Sequence, residues 1–113
     1  MHVDSYAFGH ITVGGESHAG DVIIFPDRVE GHWRRRQGHR LEPGDLTIAL
    51  AWEPEAVIIG TGESGAMKVP VDTIAYLESK GIDVFVMKTA AAVEFFNSLP
   101  KCRRIVAALH LTC

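Results

Sequence analysis

The stretch with the most chemical potential is Val57-Ile-Ile-Gly-Thr-Gly-Glu-Ser-Gly-Ala-Met-Lys-Val-Pro70. The apolar run Ala56 to Ile59 breaks into three glycines, Gly60, Gly62 and Gly65, with the hydroxyls of Thr61 and Ser64 between them. Lys68 follows, and Pro70 with Asp72 opens a helical pattern. This is the grammar of a strand, a tight loop and a helix, at the carboxyl end of a strand, where open α/β sheets bind ligands. Backbone N–H groups of a glycine loop near a helix start attract carboxylate or phosphate, and Lys68 adds charge. The bland alternative is that the glycines only permit positive φ in a sharp turn.

Sharper chemistries fail on context. Gly60-x-Gly62-x-x-Gly65 fits a dinucleotide loop, but Pro70 starts the helix about five residues later, and Val86-Met87-Lys88 stands where an acidic residue belongs. No NAD, FAD or other cofactor is expected. Gly62-Glu-Ser64-Gly-Ala66 nearly forms a nucleophile elbow, and Ser64, Asp83 and His110 follow hydrolase order. Ala66 replaces the last glycine, however, and Ser64 lies too far past the strand. On a strand, His110 and Cys113 point to opposite faces, so the bland reading is a partly buried histidine and a terminal thiol. Cys102 follows a helix end, not a helix start. The six histidines lack close ligand spacing and there is no CxxC, so no metal is expected. No catalytic residue is assigned, and an enzyme is disfavoured.

Charge is unevenly spread. Between Arg28 and Arg40 lie five arginines and one acid, Glu30, which is +4 against a total of -3. Two histidines, His32 and His39, lie in the same segment. Arg34, Arg35 and Arg36 with Trp33 admit nucleic acid, but the negative total and the single aromatic disfavour it. A solvated face or an acidic protein partner are the other readings. The segment reads either as a strand, with Trp33 and Arg35 on one face and Arg34 and Arg36 on the other, or as an exposed loop.

The elements that must position these groups are read from periodicity. At 113 residues the chain is one domain, 1–113. Residues 5 to 26 read as an antiparallel meander, with a hairpin at Gly14-Gly15 and a strand at Asp21 to Pro26. Pro43 and Asp45 open a helix with Leu46, Ala49 and Leu50 inward. Val57 to Ile59 is a strand buried on both faces. A second helix starts at Pro70, with Val71, Ile74 and Leu77 inward and Gly81 just past its end. Asp83 to Met87 is a strand. Thr89 is read as the N-cap of a third helix with Ala92, Phe95, Phe96 and Leu99 as its stripe, and Ile105 to Leu111 is the last strand. Alternating helix and strand implies a largely parallel sheet with right-handed crossovers. The two cysteines fit a reduced cytosol. No apolar run spans a bilayer, and Met-His-Val-Asp-Ser-Tyr reads as neither signal nor transit peptide. A soluble, cytoplasmic protein is expected, without a membrane role.

Taken together, Asp21-Val-Ile-Ile-Phe-Pro-Asp27, His32-Trp-Arg34, Ile59-Gly-Thr-Gly62, Gly65, Met67-Lys-Val-Pro70 and Arg103-Arg-Ile-Val-Ala-Ala-Leu-His-Leu-Thr-Cys113 resemble the Mth-type domain family. This family of unknown biochemical function includes the adipogenesis-associated Mth domain-containing protein and the mitochondrial complex I assembly factor three. The resemblance spans Tyr6 to Cys113. It implies an α/β, three-layer fold, a mixed central sheet with helices plus an N-terminal antiparallel β portion. It supplies no catalytic residues. The functional expectation is a non-enzymatic interaction or assembly module, a monomer or weak homodimer. It would present Gly60, Thr61, Gly62, Ser64, Gly65, Lys68 and Arg34 to a protein partner. The alternatives are a small anionic ligand or a small enzyme site at the same loop, and nucleic acid at Arg34–Arg36.

Overall fold

Two six-residue strands carry no exposed residue: β6 (Ala56–Thr61) and β8 (Ile105–His110). Continuous apolar runs of this kind need cover on both faces, and these two strands are the middle of the sheet. The computed structural model describes residues 1–100 and 102–113. In it, β8 runs parallel to β6, and β7 (Asp83–Met87) lies parallel on the other side of β6. β4 (Val22–Ile24) pairs antiparallel with β8, and β5 (Val29–Glu30) antiparallel with β4. The order is β5-β4-β8-β6-β7.

Side-chain alternation splits the core in two. Val22, Ile24, Ala56, Ile58, Ile105, Ala107 and Leu109 point to one face. There they meet Ala92 and Phe96 of α3 (Thr89–Ser98) and a separate three-stranded meander. That meander is β1 (Val3–Ala7), β2 (His10–Val13) and β3 (Glu16–His18). Asn97 of α3 docks it, accepting from Val3 N–H at 3.0 Å and donating to Val3 O at 2.9 Å. Ile23, Phe25, Val57, Ile59, Val106 and Ala108 point to the other face. Their cover is α2 (Val71–Ser79), a 3-10 turn (Pro43–Leu46) running into α1 (Thr47–Ala51), and Trp33 and Leu41 of the segment 31–41. The result is the expected three-layer α/β arrangement.

Three local expectations change. The hairpin at Gly14 and Gly15 forms, with φ of 56° and 82°, but the Asp21–Pro26 strand leaves the meander and becomes β4 of the mixed sheet. Val71 is 80% exposed rather than inward. It is the first residue of α2, and the buried stripe is Thr73 and Leu77, one turn apart. Thr73 Oγ1 donates to Leu41 O at 3.0 Å, which satisfies its hydroxyl inside the core. Thr89 is the first helical residue of α3, with Lys88 as N-cap, so its hydroxyl is free for another task.

Candidate functional site

Each glycine of the Gly60–Gly65 loop has a local reason. A Cβ at Gly60 would lie 2.8 Å from both Leu109 Cδ2 and Thr89 Oγ1. Gly62 has φ of 104°, and a Cβ there would lie 2.4 Å from the Cys113 carbonyl carbon and 2.8 Å from His110 Cδ2. Gly65 has φ of 76°. These are positions where L side chains are strained or excluded.

The loop's donors face the chain itself. Gly62 N–H donates to Thr89 Oγ1 at 2.9 Å, and the Thr89 hydroxyl donates to His110 O at 2.6 Å. Thr61 Oγ1 donates to Met87 O at 3.1 Å. Glu63 N–H donates to Thr112 O at 2.7 Å. Ser64 N–H and Ala66 N–H donate to Cys113 O at 3.3 and 2.9 Å, and Ser64 Oγ joins them at 2.6 Å. Met67 N–H donates to Thr61 O at 3.1 Å. The amides of Gly62, Glu63, Ser64, Ala66 and Met67 are therefore occupied within the chain, three of them by backbone oxygens of Thr112 and Cys113 just past β8. What the loop shows outward is charge. Lys68 is exposed, and the exposed Lys88 lies against Gly65, where a Cβ would sit 3.5 Å from its Cγ and Cε.

The arginine segment does reach the loop, through its far end. Lys68 N–H donates to His39 O at 2.7 Å, Leu41 N–H donates to Lys68 O at 2.8 Å, and Arg40 bridges Lys68 in parallel. The cation beside the loop is thus the exposed Arg40, not Arg34. Arg34 lines a separate groove with Trp33, Gly44, Asp45 and Ile48. On the opposite side, Tyr6 of β1 donates to Glu63 Oε1 at 3.1 Å. Burial, with the Glu63 carboxylate, pushes the Tyr6 phenol up to about 12.

Below the loop lies a cluster that the residue patterns did not assemble. Arg35 Nη2 donates to Asp21 Oδ2 at 2.8 Å, and His110 Nδ1 is 2.8 Å from the same oxygen. Leu111 N–H donates to Asp21 Oδ1 at 2.8 Å. The three side chains are 4%, 14% and 6% exposed for Arg35, Asp21 and His110. Nδ1 of His110 is also 3.0 Å from Arg35 Nη2. A proton on Nδ1 serves the carboxylate; an unprotonated Nδ1 would set a lone pair against it. His110 Nε2 lies 3.4 Å from Thr112 Oγ1. Burial raises the Asp21 carboxyl, but hydrogen bonds from His110, Leu111 N–H and Arg35 outweigh it and hold the group below its ordinary value. The Arg35 guanidinium lies over Trp33, 4.7 Å from the ring centroid. Its Nη1 is buried without a hydrogen-bond partner among the described residues.

This cluster decides between the two readings of the arginine segment. Only Val29–Glu30 is strand, yet the alternation holds: Trp33 and Arg35 point inward and Arg34 and Arg36 outward. Asp45 fastens the stretch, accepting from Arg36 N–H at 2.9 Å and, through its carbonyl, from Trp33 Nε1 at 2.9 Å. The nucleic-acid surface loses Arg35, the middle of its three arginines. A usable signal was present: His110 interrupts an apolar run, and a polar side chain there needs a partner.

The remaining candidates separate. Asp83 is the first residue of β7, beside Ala56 at the start of β6, so it lies at the opposite end of the sheet from Ser64. The hydrolase order therefore assembles no triad. Cys102 and Cys113 are both exposed and free. Among the described residues, no three His, Cys, Asp or Glu side chains gather to hold a metal ion. Among the same residues, no helix is long and apolar enough to cross a membrane.

The family model for a protein of unknown function (DUF498/DUF598) matches residues 3–110. The conserved hypothetical protein PH1505 from Pyrococcus horikoshii OT3 has a similar structure, with TM-score 0.85 at 25% identity over 100% of both chains. An outer membrane protein from Bartonella henselae is similar at TM-score 0.82 and 28% identity, over 98% of this chain and 94% of that one. A Mth938-like domain protein from Bordetella pertussis shares the fold at TM-score 0.76 and 22% identity, over 97% of this chain and 85% of that one.

Proposed function

The chain belongs to the DUF498/DUF598 family of proteins of unknown function, and we propose that it works as a non-enzymatic interaction module for an acidic protein segment. The contact surface is the outer side of the Gly60–Gly65 loop, with Arg40, Lys68 and Lys88 around it. One observation carries this reading. The amides of Gly62, Glu63, Ser64, Ala66 and Met67 are bonded internally, whereas these three exposed cations have no ion-pair partner among the described residues. A loop held from inside offers a firm platform, and cations standing on it meet carboxylates without first breaking a bond. Thr61, Gly62 and Ser64 then shape the platform instead of touching the partner.

The test is a titration of isotope-labelled protein with a glutamate-rich peptide and, separately, with inorganic phosphate. The peptide is expected to shift the amide signals of Arg40, Lys68 and Lys88 at low salt. The shifts should weaken as salt screens the charges and vanish in the double variant Arg40→Glu, Lys68→Glu. No shift from the peptide at low salt would overturn the reading. Shifts from phosphate alone would replace it with a small-anion site.

A further inference from the structure

The groove that Arg34 lines encloses about 310 Å³, the lower end of the volumes that take small molecules. Three parts of the fold build it: Ile23 of β4, Ile48 of α1, and His32, Trp33 and Arg34 of the segment 31–41. Ile23 and Trp33 are buried, while Ile48 is 52% exposed, so one wall is apolar and open to solvent. The backbone on the other wall is held in an uncommon shape. His32 has φ of 54°, which a non-glycine residue keeps only where its surroundings enforce it. Here Trp33 N–H, donating to Asp21 O at 2.8 Å, fixes the next residue.

The polar groups at the groove are unequally committed. Glu30 pairs with Arg28 at 3.3 Å. The Asp45 carboxylate accepts from Arg36 N–H at 2.9 Å on one oxygen and from Glu42 N–H at 2.8 Å on the other. Thr47 Oγ1 donates to Gly44 O at 2.8 Å. Both acids are thus answered by donors. The Arg34 guanidinium, in contrast, has no ion-pair or ring partner among the described residues. Among the same residues, the backbone N–H groups of His32 and Arg34 donate to nothing. Uncommitted donors beside an apolar wall suit an acceptor carried on an apolar body.

We propose that this groove binds a small monocarboxylate with an apolar, ring-sized body. The planar guanidinium of Arg34 takes the carboxylate through two parallel N–H bonds. The body lies against Trp33 and Ile48. Charge selects a carboxylate over a phosphate monoester, since a second negative charge would stand beside Glu30 and Asp45 with one arginine to offset it. The inference does not depend on the cations at the glycine loop being a binding surface.

Titration of isotope-labelled protein with phenylacetate tests this, beside two partial probes. Acetate has the charge without the body, and 2-phenylethanol the body without the charge. Phenylacetate is expected to shift the amide signals of His32, Arg34 and Ile48 and to saturate at millimolar concentration. Each partial probe should bind about tenfold more weakly or worse. Arg34→Gln keeps the stem and removes the charge, and should weaken phenylacetate by about the same factor. No saturating shift from phenylacetate would overturn the proposal. So would equal binding of 2-phenylethanol, equal binding of acetate, or undiminished binding of phenylacetate by Arg34→Gln.

Discussion

The glycine loop and the arginine segment lie side by side, joined at Lys68, yet each does what the other's composition suggests. The loop looks like an anion cradle, but its amides hold Thr112, Cys113 and Thr89. The arginine segment looks like a solvated charged face, but Trp33 and Arg35 go to the interior and Arg35 meets Asp21 and His110. Residue type therefore indicates what a group can bond, while the distant partner decides what it does bond. In both regions one such partner lies at the far end of β8 or just past it: His110 for Arg35, Thr112 and Cys113 for the loop.

The comparison breaks most sharply at Asp21. Asp21→Ala would leave Arg35 buried without its counter-charge, and removing one partner of a buried pair costs about 3–5 kcal/mol. Urea unfolding should show a lower midpoint with an unchanged slope; a loss within experimental scatter would mean the cluster is solvated. Next comes Gly62→Ala, which adds left-handed strain and a Cβ against the Cys113 carbonyl. It should cost about 2–4 kcal/mol by the same measurement.

Acid provides a finer cut. The folded state holds Asp21 below its ordinary 3.8. The unfolded chain then binds more protons in that window, so the stability from Asp21 is complete above about pH 4 and lost as pH falls through the folded value. Asp21→Asn should remove that part of the pH slope, measured as melting temperature against pH. Smallest is Arg34→Ala. An outward side chain without an ion-pair partner among the described residues should change stability by no more than about 0.5 kcal/mol, in contrast to its neighbour Arg35.

What could be read in advance follows the range of the interactions. The strands and helices from Ala56 onward were legible because period and punctuation are local: Pro70, Gly81, Pro100 and the Ala92–Phe96 stripe each mark an element within a few residues. The three layers followed from their alternation. The exit of β4 from the meander was not legible, because its partner is β8, with Ile24 beside Ala107. Val71 was misplaced since a helix's first residue overhangs its packing face. Thr89 looked like a cap because caps and core hydroxyls share residue types, and only the approach of Gly62 and His110 distinguishes them. The Asp21–His110 contact joins residues 89 apart in the chain, beyond any periodic signal.

The position of β8 has a kinetic consequence. It is the last strand in chain order, yet it fills the middle of the sheet, between β4 and β6. Until it emerges, β4 and β6 have no bridge, and the loop after β6 has no carbonyls to close it. Such non-local pairing slows folding and prolongs exposure of apolar strands. A chain halted on the ribosome before Ile105 would therefore hold its helices' apolar faces and two strand edges open together, a natural substrate for a chaperone.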